Sequence, residues 1–370
     1  MNRFLYYLVF LNMMAIITAP IPSLLLGNAH NGALTSMALS LIAGLLFTFV
    51  LVKFFDSFAG RDMTELLKAY TPSWFRVPLT IYFVIIWYLA GTITLVMLTF
   101  LLITFLTPEM SIYTIVLSIL VPVAYGVLLK SKSVLYATEV ILLLMAPMSF
   151  FLFVKLYSST ELDWDQVRTS LMYSNSLPDF GAFSASLFTF TGSANLIVFN
   201  KYFRKRERSI FLPLFIIALM GIFTLITTYF IPIGLNGFDQ VEKLIFPWTS
   251  AADSVRMKYG IVERVVFLFM FFFVAIAFVS IIIHWHVSYK LLQSILRMDK
   301  LQFGKKNLTP FLTVLVFTVV GIFLTAYLTQ YQLYSYSAYF YNSLAVFIFI
   351  WLVSMLAVKR GAKACDQDGE

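Results

Sequence analysis

Apolar residues along this chain gather in long runs, and the polar residues fall between them. Ten runs stand out, at residues 4–26, 32–55, 77–106, 110–129, 134–157, 180–200, 210–235, 260–290, 308–331 and 336–358. A helix needs about 20 apolar residues to cross ~30 Å of hydrocarbon, and the runs are near that length. Period-two alternation, the mark of membrane β-strands, is absent. The pattern therefore predicts an all-α integral membrane protein with ten transmembrane helices. It predicts one polytopic domain over residues 1–358 and a polar tail over 359–370. The longer connections, 56–76, 158–179, 236–259 and 291–307, leave no room for a soluble domain.

Two connections look amphipathic. Residues 62–70 set Leu66 and Leu67 against charged neighbours, with Asp62 placed to cap a helix. Residues 239–258 carry Val241, Leu244, Ile245, Phe246, Pro247 and Trp248 among charges. Such a segment lies flat at the interface as a cover or lid, or dips between helices.

Composition agrees with the pattern. Of 370 residues, 61% are hydrophobic and only 12% charged, with mean hydropathy +0.89. No soluble domain buries that much apolar surface. The first run is too long, and too poor in a small-residue cleavage site, for a simple signal peptide, so it is read as a retained span. Cys365 is the only cysteine, which rules out an internal disulfide and a thiolate metal site. The net charge of +8 reflects lysines and arginines beside anionic lipid; nucleic-acid binding is not suggested. With the N-terminus inside, 20 of the 26 Lys and Arg fall in inner segments. That bias places both termini in the cytoplasm and requires an even number of spans.

Two of the runs are interrupted, five spans apart. The first carries Thr18-Ala19-Pro20-Ile21-Pro22, with Gly27 beyond, and the second Thr191-Gly192-Ser193-Ala194-Asn195. Proline lacks an N–H and disfavours continuous helix, so carbonyls near Thr18 and Ala19 need other partners. Gly192 gives the second span flexibility between polar neighbours. Matched breaks in two halves point to a ligand site near the midplane. Five is odd, so halves of about 4–157 and 180–358 would be inverted repeats. A zwitterionic amino acid suits such a site, its carboxylate at a half-helix N-terminus and its ammonium at freed carbonyls. Kinks and small residues also serve packing alone, the competing reading of each break.

Ionisable residues inside the spans are few. Glu139 lies near the inner face, either paired with an inner cation or acting in gating or proton sensing. Glu263 and Arg264 stand at the outer end of span 8, and Lys155 at the outer end of span 5, where it can snorkel. His284 and His286 flank Trp285 near the inner end of span 8; their i, i+2 spacing points the rings apart, against a metal site and towards anchoring or capping. No midplane carboxylate or lysine suggests ordinary proton coupling. Trp87-Tyr88, followed by Gly91, is a candidate pocket wall, and Ser280 can face span 1 and share its carbonyls. Tyr331, Tyr334, Tyr336, Tyr339 and Tyr341 read as an outer interfacial belt. No nucleophile–base pair, metal set or phosphate loop appears, so neither an enzyme nor a cofactor is expected.

The chain resembles the spore germination permease family, the B-type subunits of nutrient germinant receptors, within the amino acid–polyamine–organocation superfamily. The resemblance is carried by the proline-bearing first span through Leu24-Leu25-Leu26-Gly27 and by Gly60-Arg61-Asp62-Met63-Thr64-Glu65-Leu66-Leu67. The basic turn Lys201–Arg208, and Phe246-Pro247 followed by Val262-Glu263-Arg264, continue it. The family implies a LeuT-like five-plus-five inverted repeat with helices 1 and 6 broken. It implies a ligand-sensing subunit in the spore inner membrane, working with an A-type subunit and a C-type lipoprotein subunit. Its ligand would be a small amino acid or similar nutrient. Carried over residue by residue, the site is Thr18, Ala19, Pro20 and Ile21, with Thr191, Gly192, Ser193 and Asn195, and with Tyr88 and Ser280 adjacent. The first span uses prolines where the superfamily has glycines.

Three functions compete: a germinant sensor, an amino-acid permease of the same fold, and a structural scaffold with a vestigial site. The orientation can be checked through the single thiol. A membrane-impermeant maleimide is expected to label Cys365 in inside-out vesicles and to leave it unlabelled in intact cells.

Overall fold

The computed structural model describes residues 3–17, 19–203, 210–257, 262–296, 302–303 and 306–367. Thr18, most of the basic turn after Tyr202, Lys258, Arg297, Lys300 and Lys305 lie outside the described residues. In chain order the helices are α1 (Arg3–Ile16), α2 (Ile21–Leu26), α3 (Ala33–Ser57), α4 (Met63–Tyr70), α5 (Ser73–Phe105), α6 (Ile112–Leu128), α7 (Ser131–Tyr157), α8 (Trp164–Leu171) and α9 (Phe180–Leu187). A 3₁₀ segment (Phe188–Asn195), α10 (Leu196–Phe199) and a second 3₁₀ turn (Asn200–Tyr202) continue α9. Then come α11 (Phe211–Asn236), α12 (Phe238–Val241), α13 (Pro247–Ser254), α14 (Val265–Ile295), α15 (Thr309–Tyr327), α16 (Gln330–Asn342) and α17 (Leu344–Gln367). Two-residue strands β1 (Gln302–Phe303) and β2 (Lys306–Asn307) form an antiparallel pair before α15.

Eight helical stretches are long and apolar enough to cross a membrane; Arg3–Ile16 and Ile112–Leu128 are shorter apolar helices. The molecule is a multi-span helical membrane protein. Large apolar side chains face outward, as a lipid solvent allows: Val121 and Tyr125 on α6, Phe150 on α7, Phe215 on α11, Phe311 and Phe323 on α15.

The ends of the helices are set by local chemistry. Asp62 caps α4, accepting from the Glu65 N–H at 2.9 Å and the Thr64 hydroxyl at 2.6 Å. Burial raises the Asp62 carboxyl above its ordinary value, and those two bonds pull it back. Asp179 caps α9 through the Ala182 N–H at 2.8 Å. Thr329 and Gln332 close a capping box on α16. That box ends the ninth run at Tyr327 rather than 331, and starts the tenth at 330 rather than 336.

The centre of the bundle is the contact between α5 and α14. Gly91 lets the two helices approach, since a Cβ there would stand 2.5 Å from Trp285 Cδ1. Ser288 Oγ donates to the Val84 carbonyl across the same interface at 2.8 Å. His286, one residue past Trp285, reaches the other way. Its Nδ1 donates to the Val127 carbonyl at 2.8 Å, and its Nε2 accepts from the Ser131 hydroxyl at 2.8 Å. It thus satisfies a last-turn carbonyl of α6 and the start of α7.

Of the segment 239–258, the described residues 239–257 dip between helices. Trp248 is buried and stacks on Phe269 at 5.9 Å, while Ser23 Oγ (2.8 Å) and the Tyr334 hydroxyl both donate to the Ile245 carbonyl. The tyrosine belt is divided: Tyr331, Tyr336 and Tyr339 are exposed, whereas Tyr341 is buried and Tyr334 half-buried. The α16 helix begins early enough to turn those two inward.

His286→Ala strands a hydroxyl and a carbonyl in the interior, which costs about 1–3 kcal/mol. Thermal unfolding of the purified protein is expected to show a lowered midpoint, with Ser131→Ala giving a smaller drop in the same direction.

Candidate functional site

The first break has a simple cause. Helix α1 ends at Ile16, and α2 starts after Pro20 with Pro22 in its first turn. Proline at a helix start loses no hydrogen bond, because those N–H groups have no intrahelical partner. Between the two helices the Ile17 N–H donates to Met14 O at 3.3 Å and the Ala19 N–H to Ile16 O at 3.2 Å. Ile21 is buried with Ile16, Ala90, Phe340 and Tyr341 in a small apolar cluster.

The second break differs from the expected open backbone. Phe188–Asn195 is a 3₁₀ helix, not an unwound loop. Protein side chains take the carbonyls that this geometry frees. Asn12 Nδ2 donates to Phe188 O at 2.7 Å and Thr189 O at 3.3 Å. Thr191 Oγ1 donates to Phe188 O at 2.8 Å, Ser193 Oγ to Phe190 O at 3.1 Å, and Asn195 Nδ2 to Gly192 O at 3.1 Å.

Asn12 was missed in the sequence reading. The signal was present, since Asn12 is the lone amide in the apolar stretch from Phe4 to Ile17. A polar side chain in hydrocarbon must find a partner on a neighbouring helix.

Gly192 serves close packing. A Cβ there would meet Leu8 O at 2.7 Å and Val9 Cα at 2.9 Å, so the 3₁₀ segment rests directly on the α1 backbone. Ser193 faces α3, its Oγ 3.2 Å from Thr48 Oγ1. These two candidates therefore tie the 3₁₀ segment to α1 and α3.

Thr191 and Asn195 face a different way, into a small cavity of about 20 Å³. That volume suits about one water molecule. Ile86, Trp87 and Ala90 of α5 form one wall, and His284 of α14 lines it as well. Phe188 and Ala194 join from the sixth run, with Phe340, Leu344 and Phe347 from the junction of α16 and α17. Trp87 Nε1 donates to Asn195 Oδ1 at 2.8 Å, which fixes both side chains. The aromatic residues at the α16–α17 junction carried no sequence signal, because they look like any lipid-facing phenylalanine.

The remaining candidates lie apart from the cavity. Tyr88 stacks on Trp285 at 5.5 Å and donates to the Phe317 carbonyl of α15 at 2.9 Å. Ser280 contacts His284, with Oγ 3.3 Å and its carbonyl 2.7 Å from Nδ1. Ala19 and Pro20 stay at the first break. Glu139 is buried and pairs with Arg3 at 3.0 Å. Arg264 Nε donates to Asp253 at 3.0 Å, and Glu263 stands 3.8 Å from Arg256. Among the described residues, no group of three or more His, Cys, Asp or Glu is placed to hold a metal ion.

Gly192→Ala should wedge the 3₁₀ segment off α1 and cost about 1–3 kcal/mol, as overpacking does. The variant is expected to insert normally but unfold at a lower temperature, with Gly192→Leu worse. An unchanged melting profile for both would show that this contact has slack.

No curated protein matches the chain. A family match does, under the description "Spore germination protein", and it covers residues 6–332. The match runs from α1 into α16 and takes in both breaks and most of the cavity lining. The chain therefore belongs to the spore permease family of spore germination proteins, and its run of apolar helices is that of a multi-span membrane protein.

Proposed function

We propose that the chain is the membrane-embedded ligand-sensing subunit of a spore nutrient germinant receptor, and that it binds a small amino-acid-like nutrient beside the breaks of its first and sixth spans. The observation that carries this reading is the cavity against the second break. It is enclosed by five elements and carries Thr191, Asn195 and His284 in otherwise apolar walls. A small concave site with a few convergent polar groups is the usual form of a ligand pocket.

In this reading the chain has ten spans in a LeuT-like five-plus-five inverted repeat, with both termini cytoplasmic, in the spore inner membrane. An A-type subunit and a C-type lipoprotein subunit receive its signal. Family membership and the run of apolar helices support this.

The closed cavity gives the signal a physical form. A ring of apolar side chains covers it: Phe188 lies 6.0 Å from Phe340 and 5.2 Å from Tyr341, ring centre to ring centre. An amino acid needs more room than about 20 Å³, so in this reading binding widens the site. A ligand that fits only the widened state shifts the population towards it. Moving such an equilibrium from 1:99 to 99:1 needs about 10⁴-fold preference, or ~5.5 kcal/mol.

Reconstitution with labelled amino acids tests the reading. Saturable binding without accumulation inside the vesicles is the expected result. Uptake driven by a sodium or proton gradient would overturn sensing and make the chain an amino-acid permease.

A further inference from the structure

We infer that His284 is the polar anchor of this site: its Nε2 accepts an N–H from the bound nutrient and selects amines over the same molecule without the nitrogen. The inference rests on the sensing site proposed above and names what that site recognises.

The tautomer follows from the partner of the other ring nitrogen. His284 Nδ1 lies 2.7 Å from the Ser280 carbonyl oxygen, which can only accept. The Nδ1 therefore carries a proton. An imidazolium with no anion beside it is costly in an apolar enclosure, so the ring is neutral and Nε2 holds a lone pair. His284 is only 7% exposed, and it lines the cavity. Among the described residues, Nε2 has no hydrogen-bond partner.

The other polar groups of the cavity are already committed. The Thr191 hydroxyl gives its proton to Phe188 O, which leaves its oxygen only acceptor capacity. Asn195 accepts from Trp87 and donates to Gly192 O, with one amide hydrogen to spare. The cavity thus offers His284 Nε2, Thr191 Oγ1 and the second lone pair of Asn195 Oδ1 as acceptors, against a single donor. An ammonium or amine matches that balance, and a carboxylate turned towards it does not. Side-chain donors already reach the carbonyls of Phe188, Thr189, Phe190 and Gly192, so the side-chain acceptors of the cavity are the groups offered to the nitrogen.

A site built around a hydrogen bond rejects a ligand lacking the group far more strongly than an apolar pocket rejects a missing methylene. The test uses the full chain in lipid nanodiscs. The probe is whichever of the twenty labelled common L-amino acids binds best, with its deamino acid (hydrogen in place of the ammonium) as competitor. Wild type is expected to favour the amino acid by at least about tenfold, and His284→Met to bring the two within about threefold. His284→Gln, which can still place an acceptor near the Nε2 position, is expected to restore most of the preference. An unchanged preference in a monodisperse His284→Met overturns the anchor and leaves the sensing site standing. Absence of binding by any amino acid to wild type overturns both. Should His284→Met fail to fold, ¹⁵N-histidine spectra of wild type decide: an unprotonated Nε2 that shifts on adding the amino acid is expected. A protonated Nε2 in the free protein overturns the anchor.

Discussion

Hydrocarbon offers no water to a broken backbone, and this constraint shapes the centre of the molecule. Between Phe188 and Asn195 the backbone is a 3₁₀ helix, and its weaker bonds have to be supplemented by protein. The chain answers with Asn12 from the first run and with three polar side chains of the segment itself. The polar residues around the second break are therefore divided between two duties. One set holds the 3₁₀ geometry. Thr191 and Asn195 also reach the cavity, where His284 joins them.

Around that centre the bundle is held by close packing, since lipid gives no hydrophobic drive for helices to associate. Trp285 in the notch of Gly91 joins α14 to α5, and Gly192 on the Leu8–Val9 backbone joins the second break to α1. An aromatic column continues from the cavity: Trp87 lies 5.7 Å from Phe347 and 5.9 Å from Phe83, which lies 5.2 Å from Trp351. On its other side the cavity is covered by Phe188, Phe340 and Tyr341.

Much of this was legible in the sequence. The apolar runs placed the long helices to within a few residues, because run length is set by the thickness of the bilayer. Proline at positions 20 and 22 marked the first break, and Asp62 marked the start of α4, because both act through the local backbone. Other features were hidden. The tenth run began earlier than hydropathy suggested, because Thr329 and Gln332 set that boundary through a cap. Glu139 was open between an inner cation partner and a gating or proton-sensing role; it lies against Arg3, a partner more than a hundred positions away that sequence could not single out. Tyr88 looked like a pocket wall, and its ring went to α15 because Trp285 and Phe317 lie on that side.

The sequence by itself determined that the chain is a multi-span helical membrane protein of the spore permease family, and where two of its spans are interrupted. Those properties follow from composition and local backbone chemistry, which each segment carries alone. Tertiary structure decided which face of each break is used. Gly192 and Ser193 turn to neighbouring helices, while Thr191, Asn195 and His284 meet at the cavity with Trp87 and Phe347. A side chain's direction depends on what packs against its helix, and those neighbours come from distant parts of the chain.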